Sequence, residues 1–98
     1  MVIKEVLSQL ETANHPVLKI IRSNEHFKTI VIGMKKGMIL KEHKTVVPTR
    51  LLVNEGSVIY KENEKLTVVY KHEDIEIPVN ILHSLEASED SLCFLIMG

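Results

Sequence analysis

Short apolar runs, separated by turn-forming residues, follow one another from residue 17 to the end of the chain, and this spacing limits the possible folds most strongly. The gaps between the runs are too short to hold crossover helices, so neighbouring strands have to pair antiparallel. Many short strands with regular turns predict an all-β sandwich or barrel. The runs are Val17–Ile21, Phe27–Met34, Met38–Leu40, Val46–Val53, Ser57–Tyr60, Leu66–Tyr70, Ile75–Ile77 and Leu92–Met97.

The first sixteen residues have a different pattern. Between Val2 and Ala13 the apolar residues recur at spacings of three and four, which is the helical period. We predict a short amphipathic helix that covers an opening or an edge of the main fold, with an irregular arm or an added strand as the alternative. The 98 residues then form one domain, with an N-terminal segment over 1–16 and a β-barrel over 17–98.

Charge and cysteine content exclude several classes of protein. The formal net charge is −1, basic and acidic residues are interspersed, and aromatic residues make up 4% of the chain. No basic stripe with aromatic platforms is present, so we expect no nucleic-acid partner. Charged residues interrupt the N-terminal segment, and no apolar run has membrane-spanning length, so we expect no membrane partner either. With Cys93 as its single cysteine, the chain is expected to be cytoplasmic.

Two stretches carry residues at a distinctive spacing. Gly37 is followed after five residues by His43, and Gly56 closes the stretch. Further along the chain, Pro78 and His83 stand five residues apart. Together these stretches resemble the two motifs of the cupin superfamily, in the usual order and at the usual separation, and the resemblance covers roughly residues 27 to 97.

The departures from the cupin motifs fall on the metal ligands. The first motif has His-x-His and then a glutamate, and here Thr45 stands at the second histidine and Thr49 at the glutamate. The second motif keeps its histidine as His83. Its two glycine positions hold His72 and Asn80, and its asparagine position holds Ala87. The resemblance is therefore to a small single-domain cupin with degenerate metal motifs.

This resemblance implies a small jelly-roll β-barrel whose interior carries the site. Family members include dioxygenases, isomerases, decarboxylases, storage proteins and sugar-sensing transcription factors, so the fold does not determine the reaction. Side-chain alternation agrees with an interior site. If the strand after His43 were unbroken, Thr45, Val47 and Thr49 would share its uncharged face with His43. Pro48 indicates an edge or a bend there.

The residues predicted to form the binding site are His43, Thr45, Thr49 and His83. Complete cupin sites hold Fe, Mn, Ni or Zn through three histidines and a carboxylate, and a hydroxyl is a poor substitute for either. We therefore expect no tightly held metal, and we predict a barrel that binds a small polar or anionic molecule, or serves as an interaction module.

Three alternatives stay open at this point. In the first, His43 and His83 are two ligands of a divalent transition metal in an enzyme such as a dioxygenase or isomerase, completed by water, substrate or another residue. In the second, one of them is a metal-free general base. In the third, both only fill the barrel. We also expect a homodimer, with Val17–Ile21 or the final strand in its interface.

Overall fold

The computed structural model describes all residues from Met1 to Gly98 and contains one helix and nine strands. The helix α1 spans Val2–Leu10. The strands are β1 (Val17–Ser23), β2 (Lys28–Met34), β3 (Ile39–His43), β4 (Thr49–Glu55), β5 (Ser57–Glu62), β6 (Lys65–Tyr70), β7 (Asp74–Ile77), β8 (His83–Ala87) and β9 (Ser91–Met97).

The strands form two antiparallel sheets that face each other. The five-stranded sheet has the order β1-β2-β9-β4-β7, and the four-stranded sheet has the order β3-β8-β5-β6. The prediction of an all-β, jelly-roll barrel with a short N-terminal helix is confirmed. Strand β8 was not among the apolar runs, because only alternate residues of it are buried: His83, Leu85 and Ala87.

The barrel interior is built from the inward side chains of both sheets. Successive side chains of a strand point to opposite faces, so each strand contributes every second residue. The buried members of this core are Ile32, Met34, Leu51, Val53, Val58, Tyr60, Val69, Ile77, Leu85, Ala87, Cys93 and Leu95.

Helix α1 packs on the outer face of the five-stranded sheet, over its edge strand β1 and the neighbouring β2, in agreement with a helix that covers an edge of the fold. Val6 and Leu10 form a second small core with residues of β1, β2 and β9. The helix also ends three residues before the predicted Ala13, because the N–H groups of Thr12 and Ala13 bond to carbonyls three residues back in a tight last turn. Gly33 lets the helix approach closely, since a Cβ there would lie 2.7 Å from Val6 Cγ1.

The chain crosses from one sheet to the other at residues 44–48, so the apolar run Val46–Val53 forms a strand only from Thr49, and the bend that Pro48 indicated is present. Strand β3 ends at His43 in the four-stranded sheet, and β4 begins at Thr49 in the five-stranded sheet. Pro48 lies in this crossing, where no ladder hydrogen bond is required of it. The alternation of burial nevertheless continues, because Thr45 and Thr49 are buried while Val46 is exposed.

The one helix of the structure is too short and insufficiently apolar to span a membrane.

Candidate functional site

His43 and His83 lie side by side on the inner face of the four-stranded sheet. They are direct partners in the pairing of β3 with β8, and their ring centroids are 4.2 Å apart with the planes tilted by 58°. The pairing shifts between Leu40 and His43, where β3 has one residue more than β8. A bulge of this kind reverses the side-chain parity, and it turns His43 to the same face as Leu40.

Each imidazole is held by its own backbone. Nδ1 of His43 lies 2.9 Å from the Lys41 carbonyl oxygen, and Nδ1 of His83 lies 3.1 Å from the Ile81 carbonyl oxygen. A carbonyl only accepts, so in both rings Nδ1 carries the hydrogen and donates it. Each neutral ring therefore has its lone pair on Nε2, and neither Nε2 has a hydrogen-bond partner within the protein.

His83 is the buried member of the pair, with 2% of its surface exposed. Burial lowers the pKa of His83, and the neighbouring His43 acts in the same direction, while the Ile81 carbonyl and Glu62 act against them. The neutral imidazole is thus the favoured form of His83 inside the barrel.

Tyr60 and Glu62 border His83 and were not among the predicted site residues. The Tyr60 ring stacks on His83 with centroids 5.6 Å apart, and its hydroxyl donates to Glu62 Oε2 over 2.7 Å. Burial raises the pKa of Tyr60, and the Glu62 carboxylate raises it further, so the phenol stays protonated. The alternation of β5 was the available signal, because it puts both residues on the same inward face as Val58.

The two threonines differ in their hydrogen bonds. Thr49 Oγ1 donates to the Val47 carbonyl over 3.0 Å, within its own crossing segment. Thr45 is 6% exposed, and its Oγ1 is buried without any hydrogen-bond partner. The Thr45 backbone is fixed, since its carbonyl accepts from the N–H of Asn80 over 2.8 Å. Leaving a hydroxyl buried and unpaired costs about 1–3 kcal/mol.

A cavity of about 710 Å³ opens between the edge strands β1 and β3. Its walls combine hydrophobic side chains of both sheets with His43 and Thr45, and His83 and Thr49 do not line it. We call it the side opening. Its lining residues are His15, Pro16, Leu18, Ile30, Ile39, Leu40, Lys41, Glu42, His43, Lys44, Thr45, Val46, Val47, Leu95 and Met97.

The donor set does not fit the metal centre of a complete cupin. Two imidazoles are adjacent, but no third His, Cys, Asp or Glu side chain joins them in a group suited to a metal ion. Thr49 is at the carboxylate position of the motif, and its hydroxyl already donates to the Val47 carbonyl. Glu62, the nearby carboxylate, accepts from Tyr60. We therefore derive no chemical step through a metal.

No protein-family model matches the sequence, and no curated protein matches it. Solved structures do match its fold. A cupin superfamily protein from Desulfitobacterium hafniense aligns with a TM-score of 0.81 and 11% identity, over 86% of this chain and 77% of that one.

Two larger proteins contain the same barrel. A cupin 2 conserved barrel domain protein from Leptotrichia buccalis aligns with a TM-score of 0.81 and 25% identity, over 88% of this chain and 42% of that one. A salicylate 1,2-dioxygenase from Pseudaminobacter salicylatoxidans aligns with a TM-score of 0.85 and 14% identity, over 96% of this chain and 32% of that one. The chain therefore has the cupin fold, and the resemblance inferred from its motifs is confirmed at that level.

Proposed function

We propose that this cupin barrel binds a small molecule in the side opening. The observation that carries the proposal is the cavity itself, about 710 Å³ in volume, which is within the usual range of ligand pockets. Eight of its fifteen lining residues are hydrophobic, His43 and Thr45 supply polar groups among them, and the charged Lys41, Glu42 and Lys44 are exposed to solvent. Such walls favour a more apolar ligand than the four predicted polar residues suggested.

The test uses a tryptophan as a reporter, because the chain contains none of its own. Leu18 lines the opening from the edge strand β1 and is partly exposed, so Leu18→Trp puts an indole at the mouth without disturbing the core. Leu66→Trp is the matched control, since Leu66 is 62% exposed on β6, away from the cavity. In a screen of small apolar molecules, a ligand should change the fluorescence of Leu18→Trp and leave that of Leu66→Trp unchanged.

Binding to the wild-type chain is then measured by NMR titration, because the introduced indole itself occupies part of the opening. Amide shifts should concentrate on β1, β3 and the crossing segment 44–48. If no compound in the screen moves these amides, or if the shifts fall elsewhere on the barrel, the proposed function is wrong.

Elemental analysis of the purified protein separates this proposal from the metal-dependent alternative. We expect Fe, Mn, Ni and Zn well below one equivalent per chain, because only two imidazoles are available. One tightly held equivalent that is lost on replacing either His43 or His83 would favour the enzyme.

We also propose that the chain forms a homodimer through β1. This strand is an edge of its sheet, and Ile20 and Ile21 on it are exposed. Strand β9 pairs on both sides, so the final strand has no free edge for a partner. Sedimentation should give a dimer for the wild type and a monomer for Ile20→Lys, because a buried unpaired ammonium is costly. A monomeric wild type would contradict the proposal.

A further inference from the structure

The polar groups of the side opening have a definite hydrogen-bonding character. His43 donates through Nδ1 to the Lys41 carbonyl, so the neutral ring offers only the Nε2 lone pair to a ligand. Thr45 Oγ1 has no partner, and it can both donate and accept. A ligand group that satisfies both has to donate to His43, and a hydroxyl oxygen can at the same time accept from Thr45.

The two residues are close enough to share one oxygen atom. They are two positions apart in the chain, so their Cα atoms are at most about 7 Å apart. An oxygen that makes two hydrogen bonds of about 2.8 Å spans up to about 5.6 Å. Because no hydrogen bond holds Thr45 Oγ1 in its present rotamer, turning this side chain toward the opening breaks none.

We propose that the side opening binds an apolar molecule that carries one hydroxyl group, an alcohol or a phenol, with that hydroxyl between His43 Nε2 and Thr45 Oγ1. The hydroxyl donates to the imidazole and accepts from the threonine, which removes the cost of the unpaired buried group. The apolar body lies against Leu18, Leu40 and Leu95, from both sheets. This inference depends on the proposed function, whose ligand it specifies.

The experiment compares three probes of the same apolar body by calorimetry: 4-ethylphenol, 4-ethylanisole and 4-ethylbenzoate. The anisole keeps the oxygen but cannot donate, and the benzoate replaces the hydroxyl with an anion. We expect the phenol to bind at least tenfold more tightly than either of the others. Equal affinity of phenol and anisole, or tighter binding of the benzoate, would overturn the hydroxyl assignment and leave the proposed binding function intact.

Variants locate the contact. Thr45→Val should lower phenol affinity about tenfold and should also weaken the anisole, because both oxygens accept from the threonine, whereas Thr45→Ser should retain most of the phenol affinity. Thr67→Val, on the far edge strand β6 and outside the opening, is the control and should bind like the wild type. A phenol affinity that is unchanged in Thr45→Val would refute the role of Thr45. If none of the three probes binds, both the hydroxyl inference and the binding of such aromatic molecules fail.

Discussion

His43 and His83 face each other across paired strands with ring centroids 4.2 Å apart, yet neither ring holds the other in place. Each is fixed through Nδ1 by the carbonyl two residues before it. The two Nε2 lone pairs are therefore positioned by the backbone, and replacing one imidazole leaves the other anchored. Variants at the two positions can be interpreted separately for this reason.

The stability of the barrel should fall on mild acidification because of His83. Burial, aided by His43, lowers the pKa of His83 below its ordinary value of 6.5, so the unfolded chain binds the proton more tightly. The contribution of neutral His83 is then complete above pH 6.5 and is lost as the pH falls from 6.5 through the folded pKa. Urea unfolding between about pH 5.5 and 7.5 should show this decline.

His83→Gln should flatten that pH dependence, and His26→Gln, at an exposed turn, should leave it unchanged. The same decline in His83→Gln as in the wild type would assign the effect to other histidines.

Substitutions of the two threonines by valine should change stability in opposite directions. Thr45→Val removes an unpaired buried hydroxyl and should raise the free energy of unfolding by about 1 kcal/mol. Thr49→Val leaves the Val47 carbonyl without its donor and should lower the free energy of unfolding by about 1 kcal/mol. Chemical denaturation gives the free energy of unfolding of both variants and of the wild type. A loss of stability in Thr45→Val would mean that its hydroxyl has a partner in solution.

Gly33 and Val6 should be coupled in a double-mutant cycle. A Cβ at residue 33 would lie 2.7 Å from Val6 Cγ1, so Gly33→Ala should destabilise the fold by about 1–3 kcal/mol through overpacking. Val6→Ala removes the clashing atom at the cost of a cavity. The double variant should therefore be more stable than the sum of the single effects, by at least about 0.5 kcal/mol. Simple additivity would show that α1 does not sit over Gly33 in solution.

Cys93 should be inert in the folded protein. It is fully buried in the core, and burial raises its pKa to about 12. At neutral pH almost none of it is thiolate, which is the reactive form. A chromogenic disulfide reagent should titrate no thiol in buffer and one thiol per chain in denaturant. Rapid labelling in buffer would indicate opening of the sheet around β9.

The barrel could be predicted because each strand has a local signal in the sequence. That signal is a short run of alternating apolar and polar residues with turn-forming residues at both ends. The apolar runs marked eight of the strand regions but not β8, since HSLEA has only two apolar residues, Leu85 and Ala87, on its buried face. The end of β3 was missed for a different reason. Crossing from one sheet to the other requires no break in the burial pattern, so Thr45 to Val53 resembles one strand, and Pro48 was the local sign of the bend.

The candidate site was only partly predictable. Matching His43 with His83 came from motif spacing, and the structure brings their rings together. The partners of His83 could not be found in this way, because Tyr60 and Glu62 meet it only through the pairing of β5 with β8. Likewise, the different hydrogen bonding of Thr45 and Thr49 depends on the local path of the crossing segment. Their binding roles remain predictions.

For the proposed ligand, the crossing at residues 44–48 should also determine which molecules the barrel binds. The side opening is bounded by β1 and β3, edge strands of different sheets that share no ladder hydrogen bonds. The backbone that carries the polar groups is held more firmly, because the Thr45 carbonyl accepts from the Asn80 N–H and His43 Nδ1 donates to the Lys41 carbonyl. Strands β1 and β3 can move apart to admit a broader ligand. The polar groups cannot move in the same way to meet a ligand whose polar atom is misplaced. We therefore expect ligand affinity to depend strongly on the position of the ligand's polar atom and only weakly on the ligand's width.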